Sequence, residues 1–358
     1  MRMKPNILLI YTGGTIGMIK DPETGALHSF NFNELLVHIP EIRQLDCVIE
    51  TISYARPIDS SNMNLVLWRE LGDIINAHYD QYDGFVVLHG SDTMSYTGSV
   101  LSFMFENLTK PIILTGSQLP IGDLRTDAKE NLITSIQLAA QQEQGKPILR
   151  EVCIYFEYQL YRANRTVKLN AEHFEAFNSP NYPALAVSGV HLKINENLLM
   201  QDGDGYNAFA KANSLQTVPQ GRMIYRPELR DEVVILKLFP GIRPETVAAI
   251  CNITGIKAII LETYGSGNAP TDPWFLEIIA STLNRGIKII NVTQCMGGAV
   301  EMGKYETSTK LKALGVISGK DMTTEAALAK VMYLLHYADD AVPFHTYFEN
   351  SLRGELTA

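Results

Sequence analysis

Short continuous apolar runs alternate along the chain with longer stretches whose apolar residues recur every three or four positions. Residues 7–10, 85–88, 112–114 and 152–156 are apolar runs of the length of buried strands. Residues 46–53 give another strand candidate, closed by Pro57 and the polar stretch Asp59-Ser60-Ser61-Asn62. Leu65, Trp68, Leu71, Ile74 and Ile75 then recur at helical spacing, which predicts a helix from about 63 to 79. Further helices are expected after Asp92 through Asn107 and from about 126 to 142. Strands separated by helices of this length imply right-handed crossovers and a mostly parallel sheet.

From 191 to 229 the pattern fails, and Asp202-Gly203-Asp204-Gly205 sits in a stretch read as a connector. A second alternating unit follows, with strands expected at 233–238, 258–261 and 287–292. Its helices are expected after Pro244, which suits a first helical turn, near 273–284, and from 324 to 337. The predicted architecture is therefore α/β with two domains. A larger N-terminal doubly wound, mostly parallel sheet spans 1–190, and a smaller flavodoxin-like α/β domain spans 230–358.

At 358 residues the chain exceeds one typical core, which agrees with two domains. The formal net charge is -9 and no block of basic residues occurs, so no nucleic-acid or membrane surface is expected. No apolar segment approaches the roughly 20 residues needed to cross a bilayer, and the N-terminus lacks the features of a signal peptide. Cys47, Cys153, Cys251 and Cys295 are far apart and form no CxxC pair. They read as buried thiols in a reducing compartment, with the cytoplasm the simplest address.

In open α/β sheets, ligands bind beyond the carboxyl ends of the strands. Three predicted strand ends carry small hydroxyl residues beside glycine: TGGT at 12–15, HGSDT at 89–93 and TGSQ at 115–118. A fourth, Asp59-Ser60-Ser61, follows the second strand. Glycine lets the backbone approach a ligand, and the following N–H groups favour a carboxylate. Any one of these motifs alone is more simply a helix cap or a turn. Together they would line one crevice. TGGT lacks the GK[ST] ending of a P-loop and does not fit GxGxxG, so a nucleotide is disfavoured.

An alcohol nucleophile needs help at neutral pH. No GxSxG elbow occurs, and His89, the only histidine at a proposed strand end, reads first as a structural residue. No compact cluster of metal ligands appears among the eight histidines, so a catalytic metal is not expected. The remaining candidate base is a buried lysine, and Lys168 lies in the polar loop after 152–156. Spacing alone does not show that it reaches Asp92.

The runs LLIYTGGTIG at 8–17 and GFVVLHGSDTM at 84–94 resemble the two signatures of the bacterial-type L-asparaginases, closest to the cytoplasmic branch. The resemblance continues through YRANRTVK at 161–168, ETYGSGNAP at 262–270, NVTQCMGG at 291–298 and LRGELT at 352–357. It implies hydrolysis of L-asparagine without a cofactor, with Thr15 as nucleophile and an acyl-enzyme ester. On that pattern Ser91, Asp92 and Lys168 form a supporting triad. Asp92 would also hold the substrate ammonium, and Ser60, flanked by Asp59 and Ser61, the α-carboxylate. Asn268 matches a residue that enters a partner subunit's site, which implies an intimate homodimer, commonly paired into a homotetramer.

Three departures stand out. Ser91 replaces the threonine of the usual HGTDT, keeping the hydroxyl and losing the methyl, so its χ1 is less restrained. The segment Gly25-Ala26-Leu27 lacks a tyrosine that often serves substrate closure, leaving His28 or Phe30 to replace it. Glu262 stands where some members bind an effector carboxylate with arginine, and its charge opposes such binding. A broader glutaminase-asparaginase, a tRNA-dependent amidotransferase subunit and a non-catalytic amino-acid sensor are the alternative readings. The amidotransferase subunit usually carries an N-terminal extension, whereas TGGT begins here at residue 12. A sensor would not require a nucleophile with a base.

Overall fold

In Asn6–Gly13 (β1) every residue after the first is buried, as expected of a strand covered on both faces. The computed structural model describes residues 4–20, 27–29, 39–201, 203–303 and 306–357. It places β1 inside an eight-stranded sheet. Val48–Ile58 (β2) pairs with β1 on one side and Gly84–Leu88 (β3) on the other, both in parallel. Ile112–Thr115 (β4) and Val152–Phe156 (β5) extend the parallel array beyond β3. Gln159–Arg162 (β6), Ala186–Ser188 (β7) and Leu192–Ile194 (β8) complete the sheet in antiparallel pairing.

Leu65–His78 (α1), Met94–Met104 (α2) and Ala128–Ala139 (α3) are the main helices of this unit. Asn64 caps α1 by accepting from the N–H groups of Val66 and Leu67. Ala128, Leu132, Ile136 and Ala139 of α3 share one core with Ile7, Leu9, Val86, Leu88, Ile113 and Tyr155. The two-residue strand period turns Leu8, Ile10, Val87 and Ile154 to the opposite face. There Gly98 of α2 lets the helix settle on Ile154, whose Cδ1 lies 3.3 Å from where a Cβ would stand. Helices therefore cover both faces, and each fully buried Leu or Ile contributes about 1.5–3 kcal/mol.

The polar loop expected after 152–156 is a hairpin. Glu157 and Tyr158 form its two-residue turn with φ of 41° and 68°, both left-handed. Such turns normally use Asn or Gly, so nothing in the sequence announces this one. Its backbone is held instead by tertiary bonds, from Glu157 N–H to Asn131 Oδ1 at 3.0 Å and from Ser188 N–H to the Tyr158 carbonyl at 2.8 Å.

Residues up to Gly203, together with Val218–Pro227, form one unit; Asp204–Thr217 and the chain from Glu228 onward form the other. The stretch 191–229 is thus divided between them. It supplies β8 and the pair Ile224–Tyr225 to the first unit, and the helix Tyr206–Ala212 (α4) to the second. These pieces are too short to leave a periodic pattern.

The second unit is a four-stranded parallel sheet of Val233–Lys237 (β9), Ala258–Thr263 (β10), Lys288–Thr293 (β11) and Ile317–Ser318 (β12). Pro244–Cys251 (α5), Pro273–Asn284 (α6) and Glu306–Leu314 (α7) cover it, with Val247, Phe275, Ile279 and Leu311 meeting Leu236, Ile259, Leu261 and Ile289. Thr324–Tyr337 (α8) also packs on β9, β10 and β11, capped by Thr323. Its strands follow one another in chain order. The first sheet differs, because the chain passes from β1 out to β2 and then returns to β3 on β1's other side. In open α/β sheets such a reversal is where ligands bind, here beyond the carboxyl ends of β1 and β3. Among the described residues no helix is long and apolar enough to cross a membrane.

Candidate active site

At the carboxyl end of β1, backbone closeness dictates the sequence. Thr12 Oγ1 donates to the Leu88 carbonyl at 2.9 Å and ties the end of β1 to that of β3. A Cβ on Gly13 would stand 2.1 Å from the Ile58 carbonyl oxygen, and one on Gly14 would stand 2.6 Å from the Gly90 Cα. Both glycines also have positive φ, 141° and 91°, so a side chain at either position is excluded twice over. Half-buried Thr15 follows directly and opens a single 3-10 turn, Thr15–Gly17. The hydroxyl of Thr12 is therefore structural, and Thr15 directly follows the glycine that packs on Gly90 of the second motif.

Within that second motif, His89 is buried and both ring nitrogens are occupied. Nδ1 lies 2.7 Å from the Gly90 carbonyl and must donate to it, so Nε2, 3.0 Å from Thr97 Oγ1, accepts. Thr97 accepts in turn from Trp68 Nε1 at 2.9 Å. Burial pushes the imidazole down to about 4, so it is neutral near pH 7. His89 is a structural tie. Gly90 packs on Ser60, whose Oγ lies 2.6 Å from where a Cβ would be, and Thr93 Oγ1 donates to the Ser60 carbonyl at 2.7 Å.

Lys168 arrives on a two-residue ladder, Val167–Lys168 against Phe177–Asn178. Its Nζ donates to Ser91 Oγ at 2.8 Å and to Asp92 Oδ1 at 2.7 Å. The lysine side chain is 17% exposed and the aspartate 67% exposed, so the pair is buried on one side and open on the other. Ser91 Oγ donates to Gln118 Oε1 at 3.3 Å. A hydroxyl, an ammonium and an accessible carboxylate thus converge beside the glycine turn that carries Thr15. Such a group can relay a proton and hold a cation.

Asp59 and Ser61 are occupied with each other. The carboxylate accepts from the Ser61 N–H at 2.9 Å and its hydroxyl at 2.8 Å, capping the turn Ser60–Asn62. Those bonds hold Asp59 below the usual carboxylate range. Ser60 is buried between them and Gly90. Asn268 belongs to the second unit, where it closes a tight loop after β10 by exchanging backbone hydrogen bonds with Tyr264 at 2.8 and 2.9 Å. Glu262 accepts from Thr324 Oγ1 at 2.7 Å and lies 3.4 Å from Lys237. Gly25, Ala26 and Phe30 lie outside the described residues, and only the backbone of Leu27 and His28 is described, in a short strand paired with Met18–Lys20. Among the described residues no group of three His, Cys, Asp or Glu could hold a metal ion. Of the cysteines, Cys153 and Cys251 are buried, Cys47 is half-buried and Cys295 is exposed, so the expectation of burial fails for the last.

Sequence reasoning took the hydroxyls of TGSQ as its signal and passed over Gln118. It also missed Asp127 and Asn131. Asp127 accepts from the N–H groups of Gln118 and Leu119, and Asn131 Nδ2 donates to the Gly116 carbonyl at 3.0 Å. Burial raises the Asp127 pKa, and these N–H bonds oppose the rise. Both residues sit at the start of α3, where an Asp and an Asn look like ordinary first-turn residues.

Residues 6–200 match the family model described as Asparaginase, N-terminal, and residues 232–348 match that of the Glutaminase/Asparaginase C-terminal domain. The chain is 40% identical to L-asparaginase 1 of Escherichia coli K12, over 99% of this chain and 98% of that protein. It is also 37% identical to a mouse 60 kDa lysophospholipase, over 98% of this chain and 62% of the mouse protein. The crystal structure of L-asparaginase I from Vibrio cholerae superimposes with a TM-score of 0.85 at 37% identity, covering 99% of this chain and all of that one.

Proposed function

Because the chain belongs to the asparaginase family, we propose that it hydrolyses L-asparagine to L-aspartate and ammonia with the Thr15 hydroxyl as nucleophile. The observation that carries this reading is the convergence of Ser91, Asp92 and Lys168 at the sheet end where Gly14 meets Gly90. Thr15 Oγ attacks the side-chain carbonyl carbon, and the C–N bond breaks. The proton leaving Thr15 reaches the departing nitrogen, which exits as ammonia. Water then cleaves the acyl ester, releasing aspartate and restoring the hydroxyl. Ser91 and Lys168 serve as the proton relay.

The exposed Asp92 carboxylate holds the substrate α-ammonium, and Ser60 with neighbouring N–H groups holds the α-carboxylate. Asn268 completes the site of a partner subunit in a homodimer or homotetramer, a role suited to a residue fixed in a short glycine-bounded loop. The cytoplasm is the proposed location. Glutamine is longer by one methylene, and such a difference is worth only about 1–3 kcal/mol in a pocket, so some turnover of glutamine is expected.

Ammonia release by the wild type and Thr15→Ala, with asparagine and glutamine compared, tests the reading. The expected result is asparagine preference in the wild type and a loss of at least about 1,000-fold in kcat for the variant. Equal activity in both proteins would remove Thr15 from the reaction, and preference for glutamine would reassign the substrate.

A further inference from the structure

The relay reading leaves one problem open, which is what holds Ser91 in place without the methyl of the family's threonine. We propose that Gln118 is a positioning residue that restrains the Ser91 hydroxyl in place of that methyl. The inference rests on the relay reading of Ser91 and Lys168.

An unbranched serine has three staggered χ1 wells open to it, whereas a β-branched threonine is stiffer. Two bonds hold Ser91 here. Lys168 Nζ donates to its oxygen at 2.8 Å, and its own proton points to Gln118 Oε1 at 3.3 Å. The second bond is longer than the usual O–H···O range and is the weaker of the two, but it gives the hydroxyl proton its acceptor. The direction of the Gln118 amide follows from its other end. Nε2 lies 3.0 Å from the His173 carbonyl, which can only accept, so Oε1 faces Ser91.

Gln118 is itself anchored at both ends. Its N–H donates to both oxygens of buried Asp127, at 3.1 and 2.9 Å, and Asp127 is tied to Asn131 at 3.2 Å. The His173 carbonyl belongs to the loop joining the two short strands that carry Lys168 and Phe177. That loop is set by Asn170 Oδ1, which accepts from the N–H groups of Glu172 and His173 at 2.8 and 3.0 Å. Gln118 therefore spans from the start of α3 to the hairpin of Lys168, with the Ser91 hydroxyl between. A side chain fixed at both ends is suited to stand in for a missing methyl.

A double-mutant cycle decides the matter. Gln118→Leu is made in the natural protein and in the Ser91→Thr background, and steady-state constants for asparagine are compared. We expect kcat to fall about 3–10-fold with Ser91 present, the size of one lost rotamer restraint, while KM changes less than about twofold. In the Ser91→Thr background the same change should cost less than about twofold in kcat, because the methyl supplies the restraint. Equal losses in both backgrounds, or none with Ser91 present, would overturn the proposal. Should Gln118→Leu fail to fold, Gln118→Met carries the same comparison. Ser91→Ala separates the two readings, since full activity there would overturn the relay itself. An inactive Ser91→Ala with equal Gln118 losses would overturn only the restraint.

Discussion

Two lysine–carboxylate pairs, one in each unit, use the same chemistry to opposite ends. Lys330 of α8 and Glu355 are both fully buried. Lys330 Nζ donates to the Phe348 carbonyl at 2.7 Å, the Asn350 carbonyl at 2.6 Å and Glu355 Oε1, which uses all three of its donors. Glu355 also accepts from the N–H groups of Leu352 and Arg353. Burial alone would raise its pKa, but Lys330 and those N–H groups hold it below the usual range. The pair fastens the C-terminal segment to α8. The Lys168 side chain is 17% exposed, and its partner Asp92 is 67% exposed. The closed pair is structural, whereas the open carboxylate of Asp92 is the group that the proposed reaction would use.

The largest effect expected from this contrast is on activity. Lys168→Met should lower kcat by about 100–10,000-fold, the range of a lost acid–base group. The Asp92 carboxylate it leaves behind is already in water, so the melting temperature should hardly move. Steady-state kinetics and thermal unfolding on one preparation check both halves. Marked destabilisation with little loss of kcat would make the Lys168 pair structural and break the contrast.

Next in size comes Lys330→Met, with the two halves exchanged. It strands Glu355 in a dry interior, which costs about 3–5 kcal/mol. Folded protein should keep its kcat, since Lys330 has no part in the reaction. Urea unfolding gives the stability and active-site-normalised kinetics the rest. Adding Glu355→Leu should recover part of the loss, because the cost lies in the orphaned charge and not in the absence of an attraction. A single change costing less than about 1 kcal/mol would show that water reaches this pair.

The contrast could not be read from the sequence, although much of the frame could. The run 152–156 and the helix from Thr324 to Tyr337 appear where apolar periodicity places them, because long buried elements must repeat their pattern. The turn at Glu157-Tyr158 escaped because tertiary bonds stabilise it and local propensity does not. The glycines of TGGT were legible as a close approach, and their reason turns out to be Ile58 and Gly90. Lys168 is another matter. It stands 76 residues from Asp92 in sequence, and no periodicity reports a contact at that range. Family resemblance pointed to it; its residue neighbours alone did not. Gln118 escaped for a related reason, since a glutamine in a turn has no pattern until its two hydrogen-bond partners are in place.

The smallest effect belongs to a third pair, Lys4 and Asp46, 3.1 Å apart with side chains 57% and 91% exposed. Here neither group has lost its water, so the attraction is set against bulk solvent and two mobile side chains. Lys4→Met should change stability by less than about 0.5 kcal/mol, and salt should reduce even that. Urea midpoints at low and high ionic strength measure it against Lys330→Met. The three substitutions remove the same ammonium from a carboxylate at hydrogen-bonding distance, so contact geometry cannot rank them. If Lys4→Met cost as much as Lys330→Met, burial would not be the variable that separates the pairs, and the open carboxylate of Asp92 would lose its significance as well.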